Sequence, residues 1–176
     1  MRQLLLVTGL CLLLPAGTHA APPRIGEPAP RFTLRDRDGV LVSLSRLAAA
    51  KDRPRVILLD FFRTDCKPCR HSLPLLAELH KKLGPRGLRI FLIALLEEQE
   101  GEEKLKQFLA RAALPFTVLM DPYALAAKKY VVKGGSVRLP ALFVIDERGV
   151  LRARLGAIDP KKPKPLVDLL QKMLPR

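Results

Sequence analysis

The sequence contains few cysteines, and this shortage excludes several kinds of site. Of three cysteines in 176 residues, Cys11 lies in an apolar N-terminal segment, which leaves only Cys66 and Cys69 for the rest of the chain. A framework of several structural disulfides is therefore excluded. A structural zinc site is disfavoured, because it needs four ligands and no second cysteine pair is present. A c-type haem attachment would need histidine at position 70, where the chain has Arg70.

The sequence is also poor in acidic and aromatic residues. It has 31 Lys and Arg against 17 Asp and Glu, a formal net charge of +14, no tryptophan and 5% aromatic residues. Such an excess of positive charge can attract nucleic acids, anionic membranes or acidic partners. Because the basic residues are scattered and no nucleic-acid-binding motif accompanies them, we predict no nucleic-acid partner. We expect a basic soluble surface, with membrane association that is at most peripheral.

Long apolar runs are absent too, since none reaches the roughly 20 residues that span a bilayer. One apolar segment, from Leu4 to about Ala16, follows the positively charged start of the chain and precedes small residues up to Ala20. This arrangement is typical of a signal peptide. We predict a cleaved signal peptide over residues 1–20 and one domain over residues 21–176, exported to the periplasm or beyond. An uncleaved N-terminal anchor is the weaker alternative.

What is present is a pair of cysteines between a strand pattern and a helix pattern. The run Val56–Phe62 is almost entirely apolar and predicts a strand that is buried on both faces. After the cysteines, leucines recur at helical spacing until Gly84 and Pro85 stop the pattern: Leu76, Leu79 and Leu83. Cys66 and Cys69 are therefore expected at the start of a helix, where free N–H groups and the helix dipole favour a thiolate. Two thiols at this spacing can form a small disulfide ring and release it again.

The remaining pattern predicts strands that alternate with helices. Alternating apolar and polar residues around Asp36–Gly39 indicate a β-hairpin. The apolar runs Leu88–Leu96 and Ala141–Ile145 indicate further buried strands, and leucines from Leu166 onward indicate a final amphipathic helix. We therefore predict an α/β fold with a mixed central sheet covered by helices.

Two local predictions concern acidic residues. We expect the acidic stretch Glu97–Glu103 to be a solvated loop that leads into a helix, with Glu102 and Glu103 in its first turn. A docking patch for a basic partner is the weaker interpretation of this stretch. We also expect Asp121 and Pro122 to cap a helix that runs to about Val132.

These residues resemble a known family. The chain is similar to the exported thiol–disulfide oxidoreductases of the TlpA/ResA type, and the resemblance covers nearly all of residues 21–176. The matching segments are Gly26–Pro30, Asp60–Phe62, Cys66–Cys69, Pro74, Tyr130–Val132, Pro140 and Asp146–Gly149. The resemblance implies a thioredoxin-like fold with an N-terminal β-hairpin extension, and a redox-active pair at Cys66 and Cys69.

The resemblance also implies roles for the site residues. Cys66 would attack a substrate disulfide, and Cys69 would resolve the mixed disulfide after passing its proton towards Asp60. Pro140 would be a cis-proline that faces the dithiol, and the backbone of Leu139 would bind an extended substrate segment. From the residues alone two alternatives stay open: Asp60 as an acid paired within the fold, and Pro140 as an ordinary trans-proline that begins a strand.

Two positions depart from the family pattern. Asp65 stands where the family usually has tryptophan, and its carboxylate opposes thiolate formation at Cys66. The nearby cations favour the thiolate: Arg63, Lys67 and Arg70. The segment Gly134–Pro140 is also longer than the usual link before the proline. The sum of charges predicts a weakly perturbed thiol and a disulfide of fairly low potential, hence a reductant.

We therefore predict an exported thiol–disulfide oxidoreductase that needs no cofactor and no metal. Its expected partners are exported proteins with thiols or disulfides, and a membrane or periplasmic electron donor, in a role similar to cytochrome c maturation. Two alternatives stay open. A thiol peroxidase would carry threonine three residues before the reactive cysteine, where this chain has Arg63. A copper or haem-delivery chaperone would use the thiols as soft ligands, with His71 and His80 as the further candidates.

Overall fold

The computed structural model describes residues 22–96 and 98–175, so the predicted signal peptide lies outside the described residues. The strands are β1 Thr33–Asp36, β2 Leu41–Ser43, β3 Val56–Phe62, β4 Leu88–Leu95, β5 Thr117–Asp121, β6 Val132–Lys133, β7 Ser136–Val137, β8 Ala141–Asp146 and β9 Leu151–Leu155. The helices are α1 Leu44–Ala49, α2 Lys67–Leu83, α3 Glu98–Ala112, α4 Ala127–Tyr130 and α5 Lys164–Met173. In this part of the chain no helix is long and apolar enough to cross a membrane.

Most of the strands form one mixed sheet, in the order β2-β1-β5-β4-β3-β8-β9, while β6 and β7 pair separately. Strand β3, every residue of which is buried, pairs parallel with β4 and antiparallel with β8. Its near-continuous apolar sequence suits a strand that is covered on both faces. The predicted α/β fold with a mixed central sheet is confirmed, and so is the N-terminal hairpin of β1 and β2.

Two cores lie on opposite faces of the sheet, and β3 contributes to both. Its even-numbered apolar residues Val56, Leu58 and Phe62 belong to the core beneath α2 and α5. Its odd-numbered residues belong to the second core, which contains Tyr130 of α4. Because side chains alternate along a strand, Asp60 points towards the first core. A carboxyl group therefore lies on the face of the sheet that the cysteine helix covers.

The acidic stretch becomes helical earlier than predicted. Helix α3 begins at Glu98, so Glu102 and Glu103 lie beyond its first turn and the predicted loop is wrong there; Glu97 lies outside the described residues. Glutamate and glutamine are good helix formers, and Leu105 is buried in the first core, where it anchors the helix. This packing stabilises a helical turn that the charge pattern alone assigns to a loop.

The helix after Asp121 is shorter than predicted. The Asp121 carboxylate accepts hydrogen bonds from the N–H groups of residues 125–127, at 2.6, 3.1 and 2.8 Å. Helix α4 spans only four residues. Ala124 has a φ of 53°, in the left-handed region, so a right-handed helix cannot run from Pro122 through this position. The predicted N-cap and the predicted length of the helix are therefore wrong: α4 begins at Ala127 with Ala126 as its N-cap, and Asp121 ends β5.

The segment before Pro140 folds as a small hairpin. Strands β6 and β7 pair antiparallel around Gly134 and Gly135, which have φ values of 58° and 77°. Two consecutive positive φ values match the tight turn that best joins paired strands, and glycine adopts them without steric cost. The extra length of this segment is thus an ordered turn that leads directly to Leu139.

Candidate redox site

Cys66 and Cys69 form a disulfide at the end of a buried strand. Strand β3 ends at Phe62, a short loop follows, and Cys66 is the N-cap residue of α2. The backbone N–H of Cys69 donates to Cys66 Sγ at 3.3 Å. In the reduced protein this N–H group and the helix dipole would stabilise a thiolate at Cys66. The predicted placement of the pair between strand and helix is confirmed.

The two cysteines differ in exposure. Cys69 is 0% exposed and belongs to the core beneath α2. Cys66 is only partly buried and packs against the margin of that core. The Ser72 hydroxyl donates to the Cys69 carbonyl at 2.8 Å and holds the first turn of the helix in place. A sulfur atom of another molecule can therefore reach Cys66 but not Cys69.

Asp60 is a buried acid without a full set of partners. It is 2% exposed, and its Oδ2 has no hydrogen-bond partner within the described part of the chain. Its strand neighbours are Leu92 and Leu142, which are both apolar. Burial raises the pKa of Asp60 to about 8, because desolvation disfavours the carboxylate form. The alternative interpretation, in which Asp60 is paired within the fold, is therefore not observed at Oδ2. With this pKa, the Asp60 carboxyl group can exchange a proton near neutral pH.

Asp65, one of the two departures from the family pattern, is paired with Arg63. The guanidinium donates from Nε to Oδ1 at 3.0 Å and from Nη2 to Oδ2 at 2.7 Å, the bidentate geometry of a strong arginine–carboxylate pair. From the sequence alone, Arg63 is expected to favour the Cys66 thiolate and Asp65 to oppose it. In the structure they largely offset each other beside the sulfur. Both residues lie in a loop, where neither helical nor strand spacing predicts a contact.

Removing the Arg63 guanidinium is expected to leave the Asp65 carboxylate uncompensated next to Cys66. In a Cys69→Ser background, Arg63→Ala should slow alkylation of Cys66 by iodoacetamide at mildly acidic pH about three- to tenfold, because the thiolate becomes less populated. Adding Asp65→Asn should restore most of the rate, and Arg63→Lys should have an intermediate effect. Equal rates in all four proteins would show that this ion pair does not influence the sulfur.

Leu139 and Pro140 lie at the same edge of the sheet as the disulfide. In the register of β3 and β8, Phe61 pairs with Ala141, which places Pro140 beside the end of β3. The Leu139–Pro140 peptide bond is cis, as the resemblance implies, so the alternative of a trans-proline is wrong. Leu139 is partly buried and packs against both cores. The fold thus brings together the elements that carry Cys66, Cys69, Asp60, Leu139 and Pro140.

Comparison with known proteins agrees with this arrangement. Residues 25–154 match the model of the AhpC/TSA family, which is most of the chain. The chain belongs to the AhpC/TSA family. The matched region of this chain includes both cysteines, Asp60 and the cis-proline segment.

Similar proteins are named for thiol–disulfide chemistry. The chain is 30% identical over 152 residues to the thiol-disulfide oxidoreductase ResA of Bacillus cereus, covering 86% of this chain and 80% of that protein. It is 27% identical over 145 residues to the thioredoxin-like protein YneN of Bacillus subtilis, covering 82% and 79%. A solved structure of a candidate thiol:disulfide interchange protein DsbE from Chlorobium tepidum has a TM-score of 0.71 and 26% identity, covering 86% of this chain and 98% of that one.

The fold, the cysteine pair and these relatives together identify a thiol–disulfide oxidoreductase with a thioredoxin-like fold. The resemblance inferred from the sequence is confirmed. Among the residues whose side chains the structure describes, 22–96 and 101–175, no three His, Cys, Asp or Glu side chains come together as a metal-ion site.

Proposed function

We propose that the protein is exported and reduces disulfides in partner proteins, with Cys66 as the attacking thiol and Cys69 as the resolving thiol. The observation that supports these roles best is the unequal burial of the pair: Cys69 is 0% exposed, whereas Cys66 is only partly buried. Thiol–disulfide exchange needs access of one sulfur to another. Only Cys66 offers that access to a disulfide outside the protein.

The proposed reaction consists of two exchanges. The Cys66 thiolate attacks one sulfur of the partner disulfide, the other partner sulfur leaves as a thiolate, and a mixed disulfide forms. Cys69 then loses its proton to the Asp60 carboxylate and attacks the Cys66 sulfur, which releases the second partner thiolate. The Cys66–Cys69 disulfide results, and two electrons have passed to the partner. A dithiol donor in the membrane or periplasm would restore the reduced pair.

The partner segment is proposed to bind as an extended strand along Leu139. The register that pairs Phe61 with Ala141 places the Leu139 backbone at the sheet edge beside the disulfide. Addition of a strand at an open backbone edge supplies main-chain hydrogen bonds that do not depend on the partner's sequence. The partner cysteine would then lie next to Cys66.

Export is proposed from the N-terminal pattern, since an apolar segment between a positively charged start and small residues favours secretion. An oxidising compartment also suits a chain that keeps a lone cysteine pair for exchange. Recovery of a chain that begins at Ala21 from the periplasm tests this proposal, and a cytoplasmic chain that retains Met1 contradicts it.

The reducing direction follows from the charges around Cys66. A stabilised thiolate favours the reduced pair and makes the protein a stronger oxidant. Arg63 is held by Asp65, and Lys67 is exposed, where solvent and salt screen its charge. No histidine stands between the cysteines to add a cation within the ring. Arg70 is exposed as well, so its charge is also screened. The remaining contact is the N–H group of Cys69, which donates to Cys66 Sγ, and this arrangement favours a moderate to low potential.

We expect a reduction potential between about −200 and −270 mV, the range of glutaredoxins and thioredoxin. Equilibration of the purified protein with glutathione buffers of known potential, followed by alkylation and mass measurement, determines this value. The Cys69→Ser variant, which cannot form the ring, is the control for glutathione adducts. A value near −120 mV, at the strongly oxidising end of the scale, would make the protein an oxidant of thiols instead.

A further inference from the structure

A cleft of about 600 Å³ opens between the loop before α2, the start of α2 and helix α3. Asp65, which directly precedes Cys66, lines the cleft on the loop side. The other charged lining residues are cations: Arg70 from α2, and Lys104 and Arg111 from α3. The cleft is thus lined by the residue that precedes Cys66 in the sequence, and three positive side chains also line it.

Among the described residues that line the cleft, Asp65 carries the one carboxylate. Asp65 accepts two hydrogen bonds from Arg63, so its negative charge is offset locally. Arg111 Nε donates to the Gln107 carbonyl at 3.3 Å, which aligns the arginine along α3 beside the cleft. Glu103 lies one helical turn before Gln107, to which it is hydrogen-bonded, and is outside the lining. The described residues that line the cleft thus include three cations and one carboxylate, and that carboxylate is paired with Arg63.

The lining of the cleft also includes an aromatic side chain. Phe108 lines it, and its ring packs against Phe62 of β3 with 5.1 Å between ring centroids. Cations together with an aromatic side chain favour a polypeptide segment that has carboxylates and some apolar surface. A basic surface without a cleft would attract acidic partners only through the net charge of the protein and would not position a particular segment.

Positive charge also lies beside Pro140. Arg138 and Arg154 line a second pocket of about 350 Å³ with Pro140. Pro140 is beside the end of β3, because Phe61 pairs with Ala141. Arginine side chains therefore also lie beside the edge at Leu139 that is proposed to bind the partner segment.

We propose that the cleft between α3 and the loop before α2 binds an acidic segment of the partner protein, next to the cysteine that exchanges with Cys66. This inference rests on the proposed function, because it assumes that the partner is a protein cysteine. Complementary charge accelerates encounter and rejects partners of the same sign. Arginine also binds carboxylates in a bidentate manner, which fixes the register of the segment.

The test uses dithiol peptides that differ only in the residues flanking the cysteines, which are Asp and Glu, Ser and Asn, or Lys. The measured quantity is the rate at which each peptide reduces the Cys66–Cys69 disulfide, since this reverse reaction passes through the same mixed disulfide. We expect the acidic peptide to react about tenfold faster than the neutral one at about 0.1 M salt, where charges act over about 10 Å. The preference should vanish at about 1 M salt, and the lysine peptide should be the slowest.

Charge reversal in the cleft should remove the preference. The test variant carries Lys104→Glu with Arg111→Glu, and a Lys104→Gln, Arg111→Gln variant serves if the first fails to fold. The control carries Lys81→Glu with Lys172→Glu, which are exposed residues in the last turns of α2 and α5, away from the start of α2. The control changes the net charge equally and should retain the preference of the wild-type protein.

Each peptide rate is divided by the rate at which uncharged dithiothreitol reduces the same protein. A disulfide that dithiothreitol does not reduce would contradict the proposed function itself. Normal reaction with dithiothreitol but equal rates for all peptides would overturn only the acidic-segment proposal. Loss of the preference in the control variant as well would show that net charge, and not the cleft, is responsible, and would also overturn it.

Discussion

Cys66→Ser abolishes disulfide exchange, whereas Cys69→Ser accumulates mixed disulfides with partner proteins. The reason is the difference in exposure: Cys66 is accessible at the start of α2, and Cys69 is 0% exposed in the core. Without Cys66 no sulfur can be attacked from outside. Without Cys69 the first exchange still occurs, but nothing resolves its product. We expect the rate of complete turnover, from reduced protein to reduced partner, to fall more than about a hundredfold in both variants. Covalent complexes with partners should accumulate only in Cys69→Ser.

The two variants are matched controls for each other, because each removes one sulfur atom and prevents the ring from forming. Non-reducing gel electrophoresis after rapid alkylation, followed by mass spectrometry of the adducts, measures the trapped fraction. Equal trapping by both variants would mean that either sulfur can be reached. The roles assigned from the burial of the pair would then be wrong.

Asp60→Asn slows the resolution of mixed disulfides at neutral pH. If the Asp60 carboxylate accepts the proton of Cys69, the rate should rise with pH through the pKa of about 8. Replacing the carboxyl group by an amide removes the base, and general bases typically contribute about 100-fold or more. We expect resolution to be on the order of a hundredfold slower at pH 7, with no inflection near pH 8. Stopped-flow mixing of a preformed mixed disulfide, across a range of pH, measures the rate at pH 7 and the inflection.

The same variant should be more stable at alkaline pH. The pKa of Asp60 is about 8 in the folded protein and about 4 in an unfolded chain. Between these values the folded state binds more protons, so the free energy of unfolding falls as pH rises, by at most about 1.4 kcal/mol per pH unit. Asp60→Asn removes this dependence and should stabilise the fold by a few kcal/mol above pH 8. Denaturant unfolding at pH 5 and at pH 9 measures the difference.

Asp121→Asn is the control for Asp60→Asn. Asp121 is also buried, but its carboxylate accepts three backbone hydrogen bonds ahead of α4. Its replacement should therefore destabilise the protein without changing the pH profile of resolution. If Asp60→Asn left that profile unchanged, Asp60 would be a structural residue and another group would take the proton.

The sequence by itself determined the central strand, the cysteine helix and the class of fold. The run Val56–Phe62 leaves few alternatives to a buried strand, because its apolar side chains must be covered on both faces. Helical spacing of leucines and the Gly84–Pro85 stop define α2 almost to the residue. The position of Cys66 at the start of that helix follows from these two local patterns, and so does the disulfide with Cys69.

Only the tertiary structure decided the electrostatics of the site. The contact between Arg63 and Asp65 arises in a loop, where no repeating geometry links sequence spacing to distance. The isolation of Asp60 Oδ2 depends on Leu92 and Leu142, which adjacent strands bring from distant parts of the chain. The position of α3 and of the cleft beside it likewise depends on packing, since Phe108 of α3 contacts Phe62 of β3. Local sequence specifies backbone periodicity, but the partners of a charge are set by how the elements pack.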